Sequence, residues 1–266
     1  MTSDAPSILP GIQDDELILG MASAARAVGT ALAQSAPPRP PRDWEEFRAS
    51  FAAVDDPAAE MLRGQLEKVS PGLDWIDGDT SEGRSGWFAD VTDGAVQYLQ
   101  GLPHWCVTVS LLDQGRVLAT VLDAVERDQT FTSNGARAAL NGRSISPSGK
   151  TDLGVCIVAV NHPPFAASQQ GVPEKTGSTV TALLHEVGAV RGFGPTSWQI
   201  AETAAGRIDA FVQHGQDEEN LLGAAALAQL AGALVTDVHG EPWHRGSDSI
   251  LVAPPQLHPL LIDLLS

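Results

Sequence analysis

Trp87-Phe88-Ala89-Asp90-Val91-Thr92-Asp93-Gly94-Ala95 is the segment of this chain whose residue types and spacing could do chemistry. Two aspartates three residues apart, at a strand end and followed by a glycine, can aim both carboxylates and a backbone carbonyl at one point. Every ligand there is oxygen, which suits a hard cation such as magnesium and not zinc. Turn-forming aspartates explain the same pattern without a cation, so the motif alone leaves both readings open. His162, in Asn161-His162-Pro163-Pro164-Phe165, follows an apolar run at a strand end where open α/β proteins place ligand contacts; a polar loop histidine fits equally. Thr196 and Ser197, at a loop-to-helix junction, either cap the helix or hydrogen-bond a ligand. No G-x-S-x-G elbow and no G-x-x-x-x-G-K-[ST] loop occurs, so neither acyl transfer at such an elbow nor P-loop chemistry is supported.

The elements that must position these groups follow from periodicity. Apolar residues at helical spacing predict a helix over 14–34, and the proline-rich 36–42 cannot continue it. A second helix is predicted over 56–69, with Asp56 as cap and Pro57 at the first helical position. From residue 86 the texture turns to β. Strands are expected at 105–112 and 117–125 around Asp113-Gln114-Gly115-Arg116, then at 129–133, with turns at Asn134-Gly135 and Asn141-Gly142. Beyond residue 150 a strand at 154–160, helices at 178–187, 197–205 and 220–231, strands at 233–238 and 249–253, and a terminal helix at 255–265 alternate. That order predicts layered α/β packing, with subdomains of about 1–150 and 151–266 in a single unit.

Composition narrows the partners. A net charge of −17 repels phosphate backbones and anionic lipid, so neither nucleic acid nor membrane is expected as a partner. No apolar stretch is expected to approach the roughly 20 residues that cross a bilayer, and residues 1–15 carry no secretory pattern; a cytoplasmic protein is the expectation. The two cysteines, Cys106 and Cys156, each sit in an apolar run and read as buried thiols.

The 87–95 segment resembles the W-x-x-D-P-x-D-G-T signature of the inositol monophosphatase family. The likeness continues in Gly101-Leu102-Pro103, the hairpin, Gly135 to Ala138, Asn141-Gly142-Arg143-Ser144-Ile145, Gly194-Pro195-Thr196-Ser197, Ala204-Ala205-Gly206-Arg207-Ile208-Asp209-Ala210 and Leu230-Ala231-Gly232-Ala233. Residues 56–62 resemble the family's D-x-x-x-E helix, without the V-T-x-x-D stretch before it. The resemblance implies an α/β (α+β), layered α-β-α-β-α fold, a homodimer, a small-molecule substrate and Mg²⁺. It implies that Asp90, Asp93 and the Thr92 carbonyl bind metal, with Gly94 beside the substrate. The family's water-orienting threonine falls on Ala95. Its upstream glutamate falls on Gly78, where Asp77 or Asp79 could substitute by a one-residue shift. The later W-D pair falls on Glu219-Asn220, where Asn220 keeps an oxygen but loses the charge. Gln213 and His214 take the substrate-side position, and His162 and Thr196 complete the expected contacts. The implied activity is Mg-assisted hydrolysis of a small phosphorylated or polyhydroxylated metabolite. Metal-independent acid–base chemistry in the altered cleft and non-catalytic binding are the alternatives.

Overall fold

Helix α1 (Asp15–Gln34) forms where the spacing placed it and buries Met21, Ala24, Ala25, Val28 and Leu32. By length and mean hydropathy of 1.2 it could cross a membrane, which corrects the expectation that no segment is long and apolar enough. Its buried face instead packs in one core with Leu62 and Leu66 of α2 and Val107, Val109 and Val121 of a sheet. Arg26, midway along it, donates to Asp123 and Asp128 at 3.0 and 2.8 Å. This computed structural model describes residues 15–35, 39–76 and 83–265.

Helix α2 (Trp44–Val69) starts twelve residues before the expected 56. Asp43 caps it, accepting from the Glu46 N–H at 2.9 Å, and Pro57 lies inside rather than at the first position. The cap-plus-glutamate pattern of Asp43 and Glu46 was present in the sequence. Pro57 was the misleading signal: it removes the bond to the Ala53 carbonyl, and residue 53 is exposed, so water can take that carbonyl.

Six strands form an antiparallel sheet in chain order: β1 (Gly86–Asp93), β2 (Cys106–Asp113), β3 (Arg116–Ala124), β4 (Gln129–Ser133), β5 (Ala138–Leu140) and β6 (Arg143–Ser144). The short helix α3 (Ala95–Leu99) leaves the end of β1. The β2–β3 and β5–β6 hairpins turn on Gln114-Gly115 and Asn141-Gly142, each pair at positive φ, as two-residue hairpins demand. A second sheet has the order β10-β11-β9-β7-β8, formed by β7 (Ile157–Asn161), β8 (Ala189–Arg191), β9 (Ala210–His214), β10 (Leu234–Thr236) and β11 (Ser249–Ala253). Here β7 runs parallel to β8 and β9, while β11 is antiparallel to its neighbours. The strand expected from residue 154 starts at 157, because 153–155 wind into a 3-10 turn capped by Asp152.

Helices α5 (Thr196–Ala204) and α6 (Glu218–Ala231) fill the space between the sheets. One core joins Leu122 and Phe131 of the first sheet, Trp198 and Leu227 of these helices, and Phe211 and Ile250 of the second sheet. Helix α4 (Val172–Glu186), which begins six residues before the expected 178, and α7 (His258–Leu265) cover the outer face with Leu183 and Leu261. The result is the layered α-β-α-β-α order.

Gly223 lets α6 lie directly on β2 and β3. A methyl there would stand 2.4 Å from Ser110 Oγ and 2.7 Å from Thr120 Oγ1, hydroxyls already hydrogen-bonded to each other at 2.7 Å. Gly64, exposed in α2, has nothing within 4 Å of an added methyl. Urea unfolding should therefore separate the two: Gly223→Ala loses about 1–3 kcal/mol by overpacking, and Gly64→Ala gains about 0.5–1 kcal/mol from helix propensity.

Candidate functional site

Residues three apart on a regular strand face opposite ways, yet Asp90 and Asp93 must share a face to act together. The β1–β2 register solves this. Asp90 lies opposite Thr108 and Asp93 opposite Cys106, so β1 takes three steps where β2 takes two. This bulge carries one extra residue and turns both aspartates to one side. Gly94 then starts α3 at φ 95°, where a methyl would meet the His104 carbonyl at 2.7 Å; only glycine fits.

Each carboxylate is held. Asp90 Oδ1 accepts from the Thr92 N–H at 3.1 Å. Asp93, buried, accepts on Oδ2 from the Ser197 hydroxyl and, at 3.7 Å, from the Cys106 thiol. The Thr92 hydroxyl donates to Asp55 Oδ1 at 2.9 Å. Asp55 escaped the sequence reading, which took its neighbour Asp56 for a helix cap because a proline follows.

A second set comes from the other sheet. Asn161 Nδ2 donates to Thr196 Oγ1 at 2.5 Å, and that hydroxyl donates to Gln213 Oε1 at 3.3 Å. Gln213 Nε2 and Asn220 Nδ2 both donate to Asp217, at 3.0 and 2.7 Å. The capping role allowed for Thr196 and Ser197 is thus not the one found: Pro195 is the N-cap of α5 and both hydroxyls are engaged elsewhere. Asp217 likewise makes no side-chain cap bond at α6. His162 is exposed, its Nδ1–H donating to the Pro163 carbonyl at 3.0 Å, and its charge reaches Asp217.

His214 does not join this group. Neighbouring strand residues point to opposite faces, so Gln213 turns inward and His214 outward, bonding Thr179 of α4 at 2.8 Å. There it lines a separate cavity of about 550 Å³ with Lys175, His239 and Asp248. Its expected place beside the substrate is corrected accordingly. Ala95 opens α3 beside the pair and brings no polar side chain. Asp77 and Asp79, together with Gly78, lie outside the described residues.

The electrostatics are one-sided. Burial, then the charges of Asp93, Asp55 and Glu219, push the Asp90 carboxyl well above the usual range. Asp93 rises to about 7, with burial outweighing the Ser197 hydrogen bond and Asp217 adding to the rise. Burial also raises Asp55 and Asp217, the latter against its bonds from Asn220 and Gln213. No positive charge is among the groups acting on Asp90 or Asp93. Among the described residues no three His, Cys, Asp or Glu side chains converge as a preformed metal cage. The donors still fit magnesium by type and by uncompensated charge, because this ion commonly takes one or two carboxylates, keeps its waters and shares the substrate's phosphate.

The inositol monophosphatase family model matches residues 21–266. The chain belongs to the inositol monophosphatase family. It is 32% identical to Nus factor SuhB of Pseudomonas aeruginosa over 178 residues, 66% of this chain and 62% of that protein's length. It is 27% identical to inositol-1-monophosphatase of Rhizobium meliloti over 202 residues, covering 73% and 75% of the two chains. In structure it resembles extragenic suppressor protein suhB from Bartonella henselae, with a TM-score of 0.79 at 21% identity over 94% of this chain and 98% of that one. Inositol monophosphatase from Anabaena gives 0.77 at 21% identity over 93% and 94%. These likenesses show the fold. The family is one of phosphatases that generally use Mg²⁺. The Nus factor name of one relative leaves the expectation of no nucleic-acid partner without support from the relatives.

A carboxyl group with a raised pKa in the folded state favours folding while protonated. Its contribution is full below the ordinary carboxylate value and is lost as pH rises through the folded value. The metal-free protein should therefore lose thermal stability as pH rises above about 4 through Asp90 and Asp93, the Asp93 part being complete near pH 7. Asp93→Asn should flatten that slope in a melting-temperature series; an unchanged slope would contradict the assignment.

Proposed function

We propose that this family member hydrolyses a small phosphate monoester in the cytoplasm, as a homodimer, with a weakly held magnesium ion. The bulge that turns Asp90 and Asp93 to one face, inside a cluster of uncompensated negative charge, carries this reading. Magnesium, when bound, neutralises phosphate charge and acidifies water.

The chain's own residues do the rest. Asp90, Asp93 and the Thr92 carbonyl would hold the ion, with the oxygen of Asn220 as a further neutral ligand. Ser197 and Cys106 fix the Asp93 carboxylate, so it need not reorganise during turnover. Ala95 cannot orient a water. The hydroxyl of Thr92 instead ties Asp55 into the pocket, where burial raises its proton affinity and suits it to accept a proton from the attacking water. The new bond joins that water's oxygen to phosphorus as the ester bond breaks; the leaving alkoxide takes a proton from a solvent water, and Asp55 returns the one it accepted to solvent. Gly94, Ala95, Thr196, Gln213 and His162 border the space left for substrate; Asp77 or Asp79 would complete the carboxylate set.

A second reading, a non-catalytic binding protein, is favoured by one observation. The amides of Asn220 and Gln213 already satisfy Asp217 without any cation.

Phosphate release from a broad monoester panel should require Mg²⁺ and stop in excess EDTA, and Asp90→Asn should lower kcat/KM by about 100-fold or more, the scale of losing a transition-state contact. Turnover that survives EDTA would point to metal-free acid–base chemistry; no release together with no calorimetric Mg²⁺ binding would favour the binding protein. Asn220→Asp removes a donor from Asp217 and adds a charge. It should lower metal-free stability at pH 8 and enlarge the Mg²⁺-induced rise in Tm over that of the parent protein.

A further inference from the structure

Behind β9 lies a second cavity that phosphate ester hydrolysis does not use. His214 follows Gln213 on that strand and faces the other way, and none of the side chains gathered around Asp90 and Asp93 lines the space it enters. The cavity holds about 550 Å³ among α4, β9, the turn after β10, the start of β11 and the end of α7. Pockets that take small molecules measure roughly 300–1,000 Å³, so this one is of ligand size.

Three basic side chains line it. Lys175 comes from α4, on the same helix face as Thr179 and Ala182, and His239 comes from the turn after β10. His214 is only 7% exposed, and its Nε2 meets the Thr179 hydroxyl at 2.8 Å. Burial lowers the His214 pKa, and the charges of Lys175 and then His239 lower it further, so the three groups act on one another.

The acids beside them are differently placed. Asp237 Oδ1 accepts from the N–H groups of His239 and Glu241 at 2.8 and 2.9 Å, and Asp248 Oδ1 accepts from the Gln216 amide at 3.2 Å. Glu174 stands exposed in the first turn of α4. Among the described residues no ion pair or hydrogen bond holds the Lys175 ammonium or the His239 ring, and none reaches His214 Nδ1. Lys150, by comparison, is tied to Asp209 at 2.7 Å. Two of the acids thus have donors already, while the basic groups lack acceptors.

We infer that this cavity binds a small organic acid carrying two or more anionic groups. Lys175 and His239 reach it from separate walls, so a single charge would answer only one of them, and His214 supplies a further donor between the two sheets of residues. Val238, Leu264 and Leu265 give the carbon skeleton an apolar wall, which a bare inorganic oxyanion would leave uncovered. In a chain of net charge −17 the surface at large repels such a ligand, and the local field of these three groups is what holds it. The site stands whether or not the Asp90–Asp93 pocket hydrolyses phosphate esters.

Calorimetry on the whole protein in EDTA, which keeps cations out of the acidic pocket, tests this with succinate and citrate against propionate and inorganic phosphate at equal ionic strength. The two polycarboxylates should bind, and the other two should bind about tenfold more weakly or not at all, the scale of one charged hydrogen bond. Lys175→Ala and His239→Ala, both at exposed positions, should each weaken succinate binding about three- to tenfold. Glu174→Gln should tighten it by removing an acid that repels the ligand. Lys68→Ala removes the same charge from an exposed position on α2 and should change nothing. No binding of either polycarboxylate, inorganic phosphate bound as tightly as succinate, or an affinity unaltered in both Lys175→Ala and His239→Ala overturns the proposal.

Discussion

Everything between the two sheets depends on how closely α6 approaches β2 and β3. That approach is set at Gly223, where the helix backbone comes down on the Ser110–Thr120 hydroxyl pair with no room for a methyl. A helix pressed between two sheets is apolar on every side, and α6 is built of alanine and leucine for that reason. Its depth fixes where Asp217 and Asn220 emerge at its start. With α5 packed beside it, the same layer brings Ser197 to Asp93. Two sheets distant in sequence thereby face one pocket.

Within that frame the pocket is a product of local irregularity. A regular β1 would point Asp90 and Asp93 apart; one extra residue unites them, and a glycine at positive φ lets the chain turn away at once. The cost is electrostatic. Carboxylates from β1, α2 and the start of α6 are gathered where water is scarce, and no positive charge acts on Asp90 or Asp93, so each holds its proton more tightly than a free side chain. Such a pocket is unstable when fully ionised unless something positive or a proton shares it.

Much of the fold was legible because its signals are local. The hairpin turns at Gln114-Gly115 and Asn141-Gly142, the alanine-rich α6 and the apolar strand before Asn161 all announce themselves within a few residues. The start of α2 did not, because Pro57 imitates a helix beginning inside a helix. The site divides in the same way. Asp90, Asp93 and Gly94 are a compact motif, whereas Asp55 is identified only by its bond to Thr92, 37 positions away. Strand alternation, once β9 is placed, separates Gln213 from His214. The ring contact of Trp44 with Phe165 likewise spans more than a hundred residues, and no local pattern connects them.

The ion pair between Arg26 and Asp123 joins residues 97 apart in sequence. The strands that cover the apolar face of α1 thus lie far from it in sequence. Without those strands, a helix apolar enough to pass for a membrane segment would have only α2 to pack against. The arginine in the middle of that helix bears on both facts. It ties the helix to β3, and it is a charge that a lipid-spanning segment would have to bury.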